Sequence, residues 1–408
     1  MKLRSITYFC NPKYPLDESV LRAAGDFLAT AKSAYETAGY EVQTTRLATI
    51  PFPKLLGGKQ IGDLPKLAAG LEKAIQQAGI AYASLGPATP DLPHSYEIIP
   101  EAIAATQNIF FGGVMAAKTS GRSTDSQIYL PAEKACADVI VKCAPIDPNG
   151  FANLRFAALA NVPAGAPFFP AAYWDRDIPA FAIATEAADL AVQAFESAKT
   201  LEDGRKTLIS KITQHGQTIS RVANDLAQVP IFAGIDFSLA PFPTEAQSLG
   251  AAFERMGIPR IGLHGSLAAA ALLTEAIERA DFPRAGFSGL MLPVLEDAVL
   301  AKRAAEGTLT IKDLLLYSAV CGTGLDTIPL PGDTTAGQIA ALLLDLCALA
   351  LRLDKPLTAR LMPVPGKKAG DATSFDFGFF ANSKVMRPEA ESLQKALTSD
   401  EVLALRHR

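Results

Sequence analysis

The run SAVCGTGLDTIPLPGD at 318–333 brings a thiol, Cys321, and a carboxylate, Asp326, to either side of two glycines. It reads as a helix end, a glycine loop, a short apolar strand and a proline–glycine turn. Glycine lets backbone approach a bound molecule closely. Beside a cation, a Cys321 thiolate would be a nucleophile; without one, Cys321 is a small buried apolar residue.

Further carboxylates fall near expected strand ends: Asp236 in GIDFSLAP, Asp333 in PGDTT and the pair Glu296–Asp297. Asp326 or Asp236 could serve as acid and base. Glu296, Asp297 and Asp326 could instead hold a divalent cation such as Mg²⁺, and no other cofactor is implied. Two plainer readings compete. Asp333 may only turn the chain into a helix on which Thr335 and Gln338 have capping-box spacing. Asp326 may pair with Arg360, a cation in an otherwise apolar strand that needs a partner.

Two loops suit anions. MPVPGKKAGD at 362–371 carries Lys367 and Lys368 between Pro365, Gly366 and Gly370 and ends on Asp371, an arrangement able to take a carboxylate or phosphate. GLHGS at 262–266 puts His264 before a helix whose expected N-cap is Ser266, where the helix start attracts anions and His264 adds a donor or an acid–base group. GFSG at 286–289 reads as a close-approach turn with Ser288 as a contact. The alternatives are a solvated turn for the lysines and a packed histidine for His264.

The elements that must position these residues alternate. Strands are expected at 2–10, 40–50, 80–85, 108–112, 151–159, 179–183, 230–237, 325–330 and 357–363, and most are followed by helices, including 16–38, 66–78, 126–143, 187–197, 201–227, 266–280 and 336–353. That is the order of βαβ units, and about ten strands suggest an α/β barrel with its helices outside and its pocket at the carboxyl ends of the strands. A single domain over 1–372 is expected, with a seam between halves at 201–206 (LEDGRK). A peripheral tail at 373–408 ends in an amphipathic helix. The polar stretch KTSGRSTDSQ at 118–127 reads as a loop. The segment NVPAGAPFFPAAYWDRD at 161–177 reads as a long loop, either a lid or subunit contact, or an aromatic plug.

Composition excludes several classes. Net charge is −4 and no long Lys/Arg run occurs, so nucleic acid and anionic membranes are poor partners. Five scattered cysteines without a C-x-x-C pair, and an N-terminus without signal-peptide features, lead to the expectation of a reduced cytoplasmic protein. Mean hydropathy is +0.18, and 336–353 is apolar, but Gln338, Asp345 and Arg352 interrupt it. A buried helix against a neighbouring element or subunit is expected rather than a membrane span. GGVMAAKT at 112–119 lacks the second glycine of a P-loop, and four histidines are too few for a dense zinc site.

The runs GIDFSLAPFP, RIGLHGSLAAAALLTEAI, GFSGLMLPVLED, CGTGLDTIPLPGDTT and RLMPVPGKKAGD, in this order over 231–371, resemble domain-of-unknown-function family 711. The likeness extends more loosely back through FANLRFAALAN and YFCNP. It implies a barrel related to pyruvate formate-lyase and other glycyl radical enzymes, ten strands in two five-stranded halves, with Cys321 as the loop cysteine. The chain departs from the radical pattern: it has no adjacent cysteine pair and no Arg-Val-Ser-Gly-Tyr-like motif, and Gly378 in FDFGFF is the only glycine nearby. That departure puts radical chemistry in doubt, since fold does not carry function. The resulting expectation is an enzyme, or alternatively a non-catalytic binding protein, that takes a small anionic metabolite inside the barrel and forms a homo-oligomer.

Overall fold

The computed structural model describes residues 1–118, 125–226 and 230–407. It is a mixed α/β structure built on one large sheet of eleven strands. The strands are β1 (Lys2–Cys10), β2 (Val42–Pro51), β3 (Tyr82–Ala88), β4 (Ile109–Lys118), β5 (Asp125–Tyr129), β6 (Phe156–Ala160), β7 (Ala180–Glu186), β8 (Ile231–Asp236), β9 (Gly324–Pro331), β10 (Leu357–Val364) and β11 (Val402–Arg406). Their main path runs β8-β7-β1-β2-β3-β4-β6-β10-β9.

Strand direction divides this path. β1, β2, β3, β4 and β6 are mutually parallel. β7 and β10 join this block antiparallel, on β1 and β6 respectively, and each carries a parallel neighbour, β8 and β9. Beyond the two ends of the path, the irregular segment 284–293 makes single bridges to both. Ile235 pairs with Arg284 and Leu239 with Leu290 on the β8 side, and Pro293 pairs with Asp326 on β9.

The βαβ order has the usual cause. Each helix has one apolar stripe, as in Glu18–Thr37, where Leu21, Ala24, Leu28, Ala31 and Tyr35 are buried at helical spacing. The helix Ala336–Arg352 starts at Thr335 with the capping box to Gln338. It packs on the helix Leu130–Cys143 and on β4, β5, β6, β10 and β11, so its apolar face is covered within the chain. Among the described residues, no helix is long and apolar enough to cross a membrane.

Several boundaries differ from the sequence reading. The helix expected over 126–143 starts at Leu130, because Pro131 favours a first turn there and the residues before it pair as β5. The stretch 151–159 is a 3₁₀ turn, Phe151–Arg155, before it becomes β6; Gly150 at φ 69° starts the turn. Among the described residues the tail forms no helix of the kind expected. Only a 3₁₀ turn, Lys395–Thr398, precedes β11, whose alternating VLALR finds a free edge on β5. The helix expected over 201–227 is Leu201–Leu226, and the expected seam at 201–206 falls in its first turns. In the polar stretch 118–127, residues 119–124 lie outside the described residues. GGVMAAK belongs to β4 and so cannot cradle a phosphate as a loop.

Candidate functional site

A cavity of about 350 Å³ lies against the inner ends of these strands. One wall is ionic. Arg4 pairs with Glu186 at 3.0 Å and with Glu296, and Arg360 pairs with Glu296 at 2.7 Å and with Asp326 at 2.6 Å. The five groups thus alternate in sign along one chain, Glu186–Arg4–Glu296–Arg360–Asp326.

Two β-bulges aim this chain. Against β7, β1 has one extra residue between Leu3 and Ser5, which is Arg4. Against β10, β9 has two residues, Asp326 and Thr327, opposite the single Arg360. A bulge breaks strict alternation and turns a side chain that would otherwise face away. Thr327 stands at φ 45°, a costly conformation for a β-branched residue, and its hydroxyl accepts from the Leu295 N–H at 3.3 Å, one residue before Glu296.

Arg46 adds a third guanidinium to the same wall. Its Nε donates to Thr44 Oγ1 at 2.9 Å, and that hydroxyl donates to the Arg4 carbonyl at 2.8 Å. Its plane lies 5.0 Å from the centre of the Phe169 ring. Among the described residues no carboxylate comes within the 4.0 Å salt-bridge distance of Arg46. Tyr82 is its cross-strand partner and lines the cavity, and among the described residues its hydroxyl makes no hydrogen bond.

Electrostatics follow from burial and pairing. Burial, then the Arg4 charge, pushes Arg46 down to about 9, still cationic at neutral pH. Burial would lower Arg4 and Arg360, but their carboxylate partners raise both. Burial would raise Glu296, yet Arg360 and Arg4 hold it below the usual carboxylate range. For Asp326 and Glu186, burial prevails over the arginines and raises both. Among the described residues, Glu186 Oε1 has no hydrogen-bond partner, and Asp326 Oδ2 has none either.

The opposite wall is aromatic and comes from two distant segments. The 161–177 loop supplies Phe168, 5.7 Å beneath the Arg360 guanidinium, and Phe169 beneath Arg46. It is fastened by Trp174, which stacks on Phe9 and donates to the Ile178 carbonyl at 3.0 Å. On its outer side it borders a second cavity of about 800 Å³, lined by Trp174, Ile178, Ile231 and Arg284. The other segment follows β10. Residues 370–385 fold back as a hairpin, with Ala372 paired to Lys384, and the Ala381 N–H bonds the Leu295 carbonyl at 2.6 Å. Phe377 and Phe379 at its tip line the cavity, packed with Phe151 and Phe242. The C-terminal segment is therefore part of the site's wall.

The sequence-derived candidates separate accordingly. Asp326, Arg360 and Glu296 come together in the cavity. Asp297 turns the other way. It caps the helix Ala298–Glu306 through Val299 and Leu300 N–H, and also accepts from Leu249 N–H at 2.6 Å and from Ser248. It cannot join Glu296 and Asp326 around a cation, and among the described residues no three His, Cys, Asp or Glu side chains are grouped to hold one. Asp236 is buried and clasps the turn at 286–288, taking Phe287 N–H at 3.0 Å and Ser288 N–H at 2.9 Å. Ser288 bonds the Ile235 and Ala285 carbonyls. Neither lines the cavity.

Cys321 is fully buried away from the cavity, and burial raises its thiol, which opposes thiolate formation. His264 is exposed, and the cap of the following helix is Gly265 at φ 102° rather than Ser266, whose hydroxyl accepts from Gly262 N–H instead. Lys368, Asp371 and Asp333 are exposed on outer loops, and Lys367 gives its carbonyl to Gly332 N–H. Of the four points 236, 264, 326 and 366, Asp326 alone lines this cavity.

Arg4, Arg46, Tyr82 and Glu186 were not singled out from sequence. A signal existed in β2. A buried parallel strand normally reads as apolar, yet VQTTRLATIP opens with four polar residues after its valine. The expectation of a pocket at carboxyl ends also failed for the parallel block, where Arg4, Arg46, Tyr82 and Asn108 lie toward strand starts.

A family model described as Uncharacterised ACR (DUF711) matches residues 1–383. The chain belongs to this family. It is similar to a UPF0210 protein of Pyrobaculum aerophilum, 40% identical over 61% of this chain and 57% of that protein. A UPF0210 protein of Pyrobaculum arsenaticum is 34% identical over 82% of this chain and 76% of its own length. One of Oleidesulfovibrio alaskensis is 31% identical over 91% and 84%. The DUF711 match takes in every residue of the ionic wall and the aromatic tip at 375–380, and it ends before β11.

Proposed function

We propose that this DUF711 protein is an enzyme acting on a small organic anion held in the ionic–aromatic cavity. Arg46 receives the anion and Asp326 moves the proton. The observation that carries this reading is Arg46, a cavity-facing guanidinium that the alternating ion chain leaves without a carboxylate. Burying a cation is costly unless something of opposite charge meets it. Asp326 supports the proton-transfer role, because its carboxyl is raised by burial and one oxygen is unbonded. The Mg²⁺ alternative has Asp297 turned away and the two remaining carboxylates matched by arginines. Lys367, Lys368 and His264 have no part in this site, and Cys321 has no nucleophilic role in it.

The runner-up is a binding or regulatory protein using the same cavity without chemistry. It is favoured by the saturation of Glu296 by two arginines, which leaves that carboxylate a weak base. One experiment separates the two. Wild type and Asp326→Asn are incubated with a small-metabolite extract. A product made by wild type alone, with anion-induced rise in Tm kept in both, supports the enzyme. Retained binding with no product in either supports the binding protein. Arg46→Met leaving anion binding intact would refute both.

The proposal includes the fold's closure. Segment 284–293, bridged to β8 and β9, would serve as a tenth strand and make two opposed five-stranded halves. A homo-oligomer remains part of the reading, with exposed Ile178 and Ile231 as the apolar surface left over, since Trp174 and the helix Ala336–Arg352 are covered within the chain. Light scattering on the purified protein tests it.

A further inference from the structure

The cavity holds a second guanidinium with no acid at salt-bridge distance. Arg155, immediately before β6, is 7% exposed and lines the same space as Arg46. Its Nη1 donates to the Thr106 carbonyl at 2.6 Å and more weakly to the Thr106 hydroxyl, while Nε and Nη2 make no hydrogen bond among the described residues. Asp147, its foremost electrostatic neighbour, lies on the cavity wall beyond ion-pair reach.

Strand register places the two cations. Arg46 is opposite Tyr82 on β3, Ser84 of β3 is opposite Phe110 of β4, and Phe111 of β4 is opposite Phe156 of β6, next to Arg155. Three strand spacings of ~4.8 Å put the two backbones about 14 Å apart along the sheet. Both side chains line the same cavity. Between them lie Tyr82 and Phe110, whose rings meet at 5.5 Å, with Phe169 against Phe110 at 5.4 Å. The order across the cavity is therefore cation, aromatic floor, cation.

A ligand with one anionic group satisfies one guanidinium and leaves the other buried beside an apolar surface. Resting on the reading that the cavity takes an organic anion, we propose that its ligand is an elongated dianion. Two carboxylate or phosphate groups would flank a flat or apolar middle, one end on Arg46 and the other on Arg155. A cavity of about 350 Å³ falls at the small end of the ~300–1,000 Å³ range of small-molecule sites, which suits a compact dianion.

The competing explanation is that Arg155 only ties down Thr106 after the helix Ile99–Ala104. Calorimetric titration of wild type distinguishes them. The probes are α,ω-dicarboxylates from succinate to sebacate, and 1,4-phenylenediacetate beside phenylacetate. The expected result is an optimum in chain length, with the best dianion binding about tenfold or more tighter than its matched mono-anion, the gain of one charged hydrogen-bonded contact. Arg155→Met should erase that advantage and leave the mono-anion unchanged. Arg155→Lys keeps the charge and one donor toward Thr106, and should restore part of it.

Equal binding of matched mono- and dianions, with no length optimum, overturns the dianion while the anion reading stands. If no probe binds at millimolar concentration and Arg46→Met changes nothing, the anion reading falls as well. The length series needs no variant, so misfolding of Arg155→Met cannot hide either outcome.

Discussion

Replacing Glu296 by Gln tests the ion chain most directly. Glu296 is 5% exposed and its two oxygens take Arg360 and Arg4. Glutamine preserves shape but removes the charge, so Arg4 keeps only Glu186, Arg360 keeps only Asp326, and Arg46 loses the Glu296 charge that acts on it from beyond ion-pair distance. Removing one member of a buried pair costs about 3–5 kcal/mol. For 408 residues the unfolding entropy is ~0.9 kcal/mol/K, so Tm should fall by about 3–6 °C.

The pH dependence has a definite sign. The folded state holds Glu296 below its unfolded value, so its charge stabilises above roughly pH 4.3 and is lost as pH falls through the lower folded value. The gap between wild type and Glu296→Gln, followed by scanning calorimetry, should be full at pH 6–7 and close in strongly acid solution. A small dicarboxylate should raise the variant's Tm more than the wild type's, because the cavity then carries an extra unmatched cation. A Tm change below about 1 °C at neutral pH, or a gap indifferent to acid, would refute the reasoning.

Other expectations follow from single side chains. Glu133 is buried with one unpaired oxygen, and burial pushes its carboxyl up to about 8. Its raised value means stability is lost as pH rises from about 4.3 toward 8, so Glu133→Gln should gain on wild type over that window, by several degrees in Tm at pH 8. Asp297→Ala strips caps from two helix starts, Leu249–Arg255 and Ala298–Glu306, and should cost about 2–4 kcal/mol by denaturant titration without touching the cavity. All five cysteines are buried, so in native protein a thiol reagent should label Cys321 no faster than the others and only as fast as the structure opens. Rapid selective labelling of Cys321 would restore its candidacy as a nucleophile.

Much of the scaffold was legible in the sequence because periodicity reports which face is buried. The βαβ alternation, the apolar helix at 336–352 and its Thr335–Gln338 cap needed no tertiary information. The pairing of Arg360 with Asp326 was also readable, since a guanidinium in an apolar strand must find an acid. The rest of the site was not. Arg4 and Asp326 face the cavity only because of irregularities in strand register, and no residue pattern announces an extra residue in a strand. The glycine- and lysine-rich loops at 262–266 and 366–371 read persuasively because turn chemistry and ligand chemistry use the same residue types. Here they are turns. The tail misled for a related reason: VLALR has apolar spacing compatible with a helix until the edge of β5 is available to it.

The two bulges also make the protein unusually sensitive to an in-frame loss of one codon. Such a deletion beside Arg4, or beside Thr327, would leave nearly every ionisable group in the chain yet rotate the arginine or the aspartate to the far side of its ribbon. An inventory of charged residues would register nothing, while the chamber's polarity would be rewritten.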